Sequence, residues 1–286
     1  MRDASAAGTG GKAGVGEIKL MLSDMDGTLL LPDHSLSPAV VAAVRQLREA
    51  GVHFSLASAR PPRAMRGQVQ QLGIDVPTLA FNGGNLIGTD GSVLQRHCVD
   101  RRAVDTALQL FAEHPVVVWA FADDHWLARD RSGAYYDTEL HALGYGPKLV
   151  DDFTPYLDRI DKLVATTDDF QLLIDLEKQL LPRIEGQALA SRSQQYYLDV
   201  TALAANKGDA LASLADYLHI PLAHTAAIGD GANDVPMFQR AGFAVAMGQA
   251  DPAVQAHADA VTASNADDGV AEAIERFILP RATPGR

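Results

Sequence analysis

Cysteine is almost absent. Cys98 is the only one in 286 residues, so no internal disulfide can form and a disulfide-stapled secreted scaffold is excluded. That usage suits a reducing cytoplasm, which is the expected location. Positive charge is also scarce: 24 Lys and Arg stand against 36 Asp and Glu, a net charge of −12. Such a chain is ill suited to nucleic acid or an anionic membrane surface. No charge-free apolar run approaches the roughly 18 residues of a membrane span. Residues 1–16 lack the apolar segment of a secretory signal and read as a mobile tail. What is plentiful is ordinary apolar content, 47% of residues, in a chain long enough for about two domains of roughly 100–200 residues.

The apolar pattern places these domains. A buried strand is expected over 18–23, then a helix opened by Ser37-Pro38, with Val40, Val44 and Leu47 at helical spacing and Gly51 at its end. Strands over 52–57 and 78–81 flank another helix. Strand–helix alternation with short connections indicates a parallel α/β sheet. Between about 86 and 200 the aromatics cluster and the style changes. From Lys207-Gly208 the first style returns, with strands over 225–228 and 243–247 and a closing helix carrying Val270, Ile274, Phe277 and Ile278. The expected fold is therefore α/β: a Rossmann-like parallel-sheet core (17–85 and 201–280) with an inserted α/β cap (86–200). Residues 1–16 and 281–286 are left as tails, with fraying from Pro280 onward.

Three polar clusters follow three expected core strands: Asp24/Asp26, Ser58, and Asp230/Asn233/Asp234. Open parallel sheets bind ligands at that edge. In Asp24-Met25-Asp26-Gly27-Thr28, alternate residues leaving a strand point the same way, so two carboxylates can face one site. Their repulsion is relieved by a hard cation, for which Mg²⁺ is the natural choice. The alternative is an acidic turn closed by Gly27. In the glycine-rich stretch 229–234, Asp230 serves as a third carboxylate with Asn233 and Asp234 around it, or the stretch is an Asx-rich helix cap. Ser58 and Lys207 suit a phosphoryl group, which needs a hydroxyl and a cation; alone they read as a cap and a solvated amine. Arg60 reads as a structural ion-pair partner. The histidines lack ligand spacing, and no G-x-x-x-x-G-K-[ST] motif is present.

With these residues in place, the chain resembles the haloacid dehalogenase superfamily of phosphatases, in particular its Cof-type group with a large α/β cap (subclass IIB). Residues 24–28, Ser58, Lys207 and 229–234 match its four motifs in order, and 265–271 resembles the group's ending. The sequence departs from the group's usual pattern at Ser58-Ala59-Arg60 (commonly Thr-Gly-Arg), at Asn206-Lys207-Gly208 and at Asn82-Gly83-Gly84. The resemblance implies Asp24 as nucleophile and Asp26 as general acid and base. It implies Mg²⁺ on Asp24, the Asp26 carbonyl and Asp230, with Asp234 supporting Asp230. Phosphate would be held by Met25, Ser58, Ala59, Lys207 and Asn233. The expected substrate is a small phosphorylated metabolite, a sugar phosphate or phosphorylated cofactor; a sugar-phosphate mutase and a silent binding protein are the alternatives. His125, Trp126 and Tyr136 are the expected cap contacts to the leaving group. Oligomeric state is not legible.

Overall fold

The computed structural model describes residues 16–282; the expected tail at 1–16 lies outside them except for Gly16. The chain opens with β1 (Leu20–Ser23), α1 (Pro38–Glu49), β2 (His53–Leu56), α2 (Pro62–Gln71) and β3 (Thr78–Ala80), followed by β4 (Asn85–Ile87) and β5 (Val93–Arg96). The middle carries α3 (Arg101–Ala112), β6 (Val117–Ala122), β7 (His125–Ala128), α4 (Tyr136–Leu143), β8 (Lys148–Leu149), β9 (Lys162–Thr166), α5 (Phe170–Leu180), β10 (Ala188–Gln194) and β11 (Tyr197–Ala202). Then come α6 (Lys207–Tyr217), β12 (Thr225–Gly229), α7 (Val235–Arg240), β13 (Phe243–Ala246), α8 (Pro252–Gln255), β14 (Ala260–Val261) and α9 (Gly269–Ala273). Local chemistry explains the starts. Ser37 accepts the Val40 N–H at 3.1 Å with Pro38 at the first helical position, and Asn206 accepts the Asp209 N–H at 2.8 Å to open α6 at Lys207.

The core sheet is parallel, in the order β14-β13-β12-β1-β2, and Ala57 bridges to Leu79 to bring β3 alongside. From β1 the chain winds one way to β2 and β3, and from β12 the other way to β13 and β14. The reversal lies between β1 and β12, where an open α/β sheet forms its ligand crevice. α1 and α9 pack with one face of this sheet, α6 and α7 with the other.

The inserted segment forms a second sheet, β10-β11-β9-β6-β7-β8, antiparallel except for the β7–β8 edge. α3 and α5 cover one of its faces; the other is turned to the core. β4 pairs antiparallel with β3, and β5 with β4, rather than with the cap sheet, after a reversal at Asn82 and Gly83, both at positive φ. They are tied to the cap through Asp161, whose carboxylate accepts from Arg96 at 2.8 and 2.9 Å and from Asn85 at 3.1 Å. At the other end, fraying does not begin at Pro280: Leu279–Arg281 form a helical turn, and the Arg281 carbonyl accepts the Ile18 N–H at 2.9 Å. Among the described residues no helix is long and apolar enough to cross a membrane.

Candidate active site

β1 and β12 run side by side, with Ser23 in register with Ile228, so the residues leaving them emerge together. The Asp24 N–H donates to the Ile228 carbonyl at 3.0 Å, which aims its carboxylate into the crevice. The turn after Asp24 passes directly over the loop after β12. Gly27 has φ +79°, and a Cβ there would lie 2.4–2.8 Å from the Asp230 carboxylate, so only glycine allows the close approach. Thr28 then donates its hydroxyl to Asp230 at 2.8 Å. Asp24, Asp230 and Asp234 thus bring carboxylate oxygens within 4.8 Å of one another.

Lys207 is fully buried among them, donating to Asp24 and, at 2.6 Å, to Asp234. α6 can deliver it so deeply because Gly208 meets α7 at its backbone: a Cβ there would lie 2.6 Å from the Pro236 carbonyl oxygen. Asp234 is saturated. One oxygen takes Lys207, and the other takes the Asp230 and Gly231 N–H groups at 2.9 Å each. It fixes the loop that carries Asp230 and leaves Asp24 and Asp230 as the carboxylates with oxygens to offer. Burial pushes Asp24 well above the usual carboxylate range; Lys207 pulls it down, while Asp234 and Asp230 push it further up. Asp230 is likewise raised by burial, against its hydrogen bond from Thr28. Burial lowers the Lys207 ammonium, but Asp234 and Asp24 more than compensate and hold it charged. Three carboxylates with one ammonium leave two formal negative charges, and the free donors are hard oxygens. That set fits a divalent cation of the Mg²⁺ type.

Asp26 faces a different environment. Arg60 grips it with two hydrogen bonds of 2.6 and 2.7 Å, and His34 adds a contact at 3.1 Å. Burial works to raise this carboxyl, yet Arg60 and then His34 outweigh it and hold it below the usual range. The Arg60 guanidinium also donates to the Ala142 carbonyl of α4 at 3.2 Å, so one side chain joins Asp26 to the cap. The ion pair expected of Arg60 has this particular partner, which no spacing in the chain indicates.

Ser58 is fully buried and accepts the Arg60 N–H at 3.1 Å. It does not cap α2, whose flanking residue is Pro61, and its own O–H remains a donor. Asn233 lies at the exposed rim and donates to Asn82 at 3.2 Å. Met25 buries its side chain in the core and offers the crevice only backbone; Ala59 is half-buried on the loop after β2. In the cap, Trp126 is fully buried, edge-on to Trp119 at 5.2 Å and tilted against Tyr136 at 5.4 Å. His125 does not join them. It pairs with Ala122 across β6 and β7, and strand alternation puts it on the opposite side of the sheet from Trp126, exposed, with Nδ1 2.6 Å from the Asp123 carbonyl. Its expected contact with a leaving group is therefore corrected by register. Sequence reading also passed over His34, Glu139, Lys162 and Asp199. The one signal for the last two was a charge at alternate-residue spacing inside apolar strands.

Over residues 21–274 the chain matches the family model of haloacid dehalogenase-like hydrolases. Among solved structures it is similar to a haloacid dehalogenase-like hydrolase from Bacteroides thetaiotaomicron, at 26% identity and TM-score 0.84, covering 91% of this chain and 100% of the other. A phosphatase of the same superfamily and organism is 25% identical, with TM-score 0.79, covering 95% and 100%. A subclass IIB sugar phosphatase shares the fold at 23% identity and TM-score 0.80, covering 91% and 99%.

Proposed function

The chain belongs to the family of haloacid dehalogenase-like hydrolases, and from that premise we propose that it is a Mg²⁺-dependent phosphatase of small phosphomonoesters. The observation that carries the reading is the buried Asp24, with Lys207 on one oxygen and Asp230 beside it, at the crevice where the sheet reverses. Asp24 and Asp230, with the Asp26 backbone carbonyl, would hold the cation. When bound it supplies Lewis acidity and offsets the repulsion between carboxylate and phosphate.

The steps belong to the side chains. An Asp24 oxygen attacks phosphorus, forming an aspartyl-phosphate as the phosphorus–oxygen bond to the leaving group breaks. Asp26 gives its proton to the departing oxygen, then takes one from the water that attacks phosphorus and frees Asp24. Lys207, the Ser58 hydroxyl, the Asn233 amide and the backbone N–H groups at Met25 and Ala59 hold the phosphoryl oxygens. Asp26 rests ionised against Arg60, the form the second step uses; for the first step an occupied site must loosen that pair and Asp26 must take up a proton from the entering monoanionic ester or from solvent. The cap, residues 86–200, excludes bulk water and meets the leaving group.

A library of phosphomonoesters assayed for phosphate release tests the reading. Release should require Mg²⁺, with Ca²⁺ a poor substitute because its longer, looser coordination misplaces Asp24. Full release in excess chelator removes the metal from the mechanism, and no release from any ester removes the phosphatase.

A further inference from the structure

β13 and β14 supply no side chain to the site described above, yet the loops that leave them reach it. Gln249 follows β13, and Asn265, the first residue of the 265–271 ending, follows β14. The Gln249 side-chain amide donates to the Gly27 carbonyl, and its Oε1 accepts the Asn265 N–H at 3.1 Å. The Asn265 side-chain amide donates to the Leu30 carbonyl at 2.8 Å. These partners fix which way the Gln249 amide points, since a carbonyl can only accept and a backbone N–H can only donate. One connected pair thus grips the turn after Asp24 in two places.

That turn needs holding. Gly27 permits the approach to Asp230 but leaves the backbone beside Asp26 soft, because glycine adopts either sign of φ readily. The other side-chain contacts on the turn involve groups committed to chemistry. Arg60 and His34 hold it through the Asp26 carboxylate, and Thr28 holds it through Asp230. The first of these holds is the one an occupied site must loosen. Gln249 and Asn265 grip main-chain carbonyls instead, so their hold survives when Arg60 lets go. The anchor is itself fixed: the Gly248 N–H donates to the Ala263 carbonyl at 3.0 Å, and the Gln255 amide to the Met247 and Gly248 carbonyls at 3.2 and 3.1 Å. Gln249 is exposed, so its effect on the turn is separable from what keeps the chain folded.

We propose that Gln249 and Asn265 are positioning residues, which keep the Asp26 carboxyl within reach of the departing oxygen while Arg60 releases it. The inference rests on the phosphatase reading for what Asp26 does. Proton transfer needs the carboxyl at hydrogen-bond distance, about 2.6–3.2 Å, from the oxygen it serves. A misplacement of about 1 Å is enough to cost on the order of 10²-fold. Loss of the grip should therefore weigh on the step that needs a delivered proton, and little on the fold.

Gln249→Met keeps the length of the side chain and removes both of its hydrogen bonds. Its kcat/KM for an alkyl ester such as glucose 6-phosphate should fall at least about tenfold. The fall for p-nitrophenyl phosphate should be no more than about threefold, since an aryl leaving group needs little protonation. Asn265→Ala should show the same inequality. The urea midpoint of Gln249→Met should stay within about 0.3 M of wild type. Hydrogen exchange reads the grip without turnover: the Leu30 amide, bonded to the Met25 carbonyl at 3.0 Å, should exchange about tenfold faster in Gln249→Met, with β1 amides unchanged. Unchanged exchange at Leu30, or equal losses on alkyl and aryl esters, overturns the positioning role. Wild-type protein that releases phosphate from no ester overturns the phosphatase reading instead, and the inference falls with it; the wild-type control tells the two failures apart.

Discussion

At the carboxyl edge of the core sheet the acids are partnered by the protein itself: Asp24 and Asp234 by Lys207, Asp230 by Thr28, Asp26 by Arg60. On the cap's core-facing side, buried polar groups are left without partners. Reaction chemistry common to all substrates demands groups held in place before the substrate arrives, because reorganisation during the reaction raises the barrier. Recognition works the other way: a donor or acceptor saturated by the protein has nothing left for a ligand. The same physics, the cost of an unpaired buried polar group, therefore produces a closed network at one surface and an open one at the other.

The largest effect that would break this contrast is at the edge. Asp24→Asn should lower phosphate release by at least about 10⁴-fold, the scale of losing a nucleophile. Its unfolding transition should remain cooperative, because Lys207 keeps Asp234. Substantial turnover by sequence-confirmed variant protein would transfer the nucleophile to another residue. Asp26→Asn should cost at least about 10²-fold with alkyl phosphates, and less with an aryl phosphate whose leaving group needs little protonation. Equal losses on both in single-turnover measurements would remove the acid role.

Arg96→Met sharpens the comparison with an ion pair built like those of the edge but tied to the cap. It leaves Asp161, its side chain 3% exposed, with Asn85 as its remaining side-chain partner, and should lower unfolding stability by about 3 kcal/mol in urea titrations. A loss under about 1 kcal/mol would show the pair to be screened by solvent. His125→Ala carries the smallest expectation. It lies on the far side of the sheet from Trp126, so substrate ratios should change less than about twofold and stability by no more than about 0.5 kcal/mol. A change in substrate ratios comparable to that of Trp126→Phe would mean that the face assignment is wrong.

Much of the core was legible in the chain. Apolar periodicity, Ser37-Pro38, Gly27 and Lys207-Gly208 act within a few residues, and the chemistry that makes a strand end in Asp24 or a helix open at Lys207 is local. The order of these pieces also implied that residues 24, 58 and 230 meet at one edge, since parallel strands bring their carboxyl ends together; Lys207, at a helix start, joined them through the family resemblance. What stayed illegible depends on partners far apart in sequence. Arg60 meets Asp26 across two core loops 34 residues apart, and the Ala142 carbonyl only once the cap lies over the core. His125 and Trp126 are neighbours in sequence yet part to opposite sides because register, set across strands, decides which face a residue joins. Lys162 and Asp199 look like ordinary strand charges until β9 and β11 pair and bury them beside Trp119. Local sequence determined the elements and the polar groups at their ends; only tertiary packing decided which charges are neutralised and which buried polar groups stay unpaired, because desolvation and pairing depend on what surrounds a side chain in space.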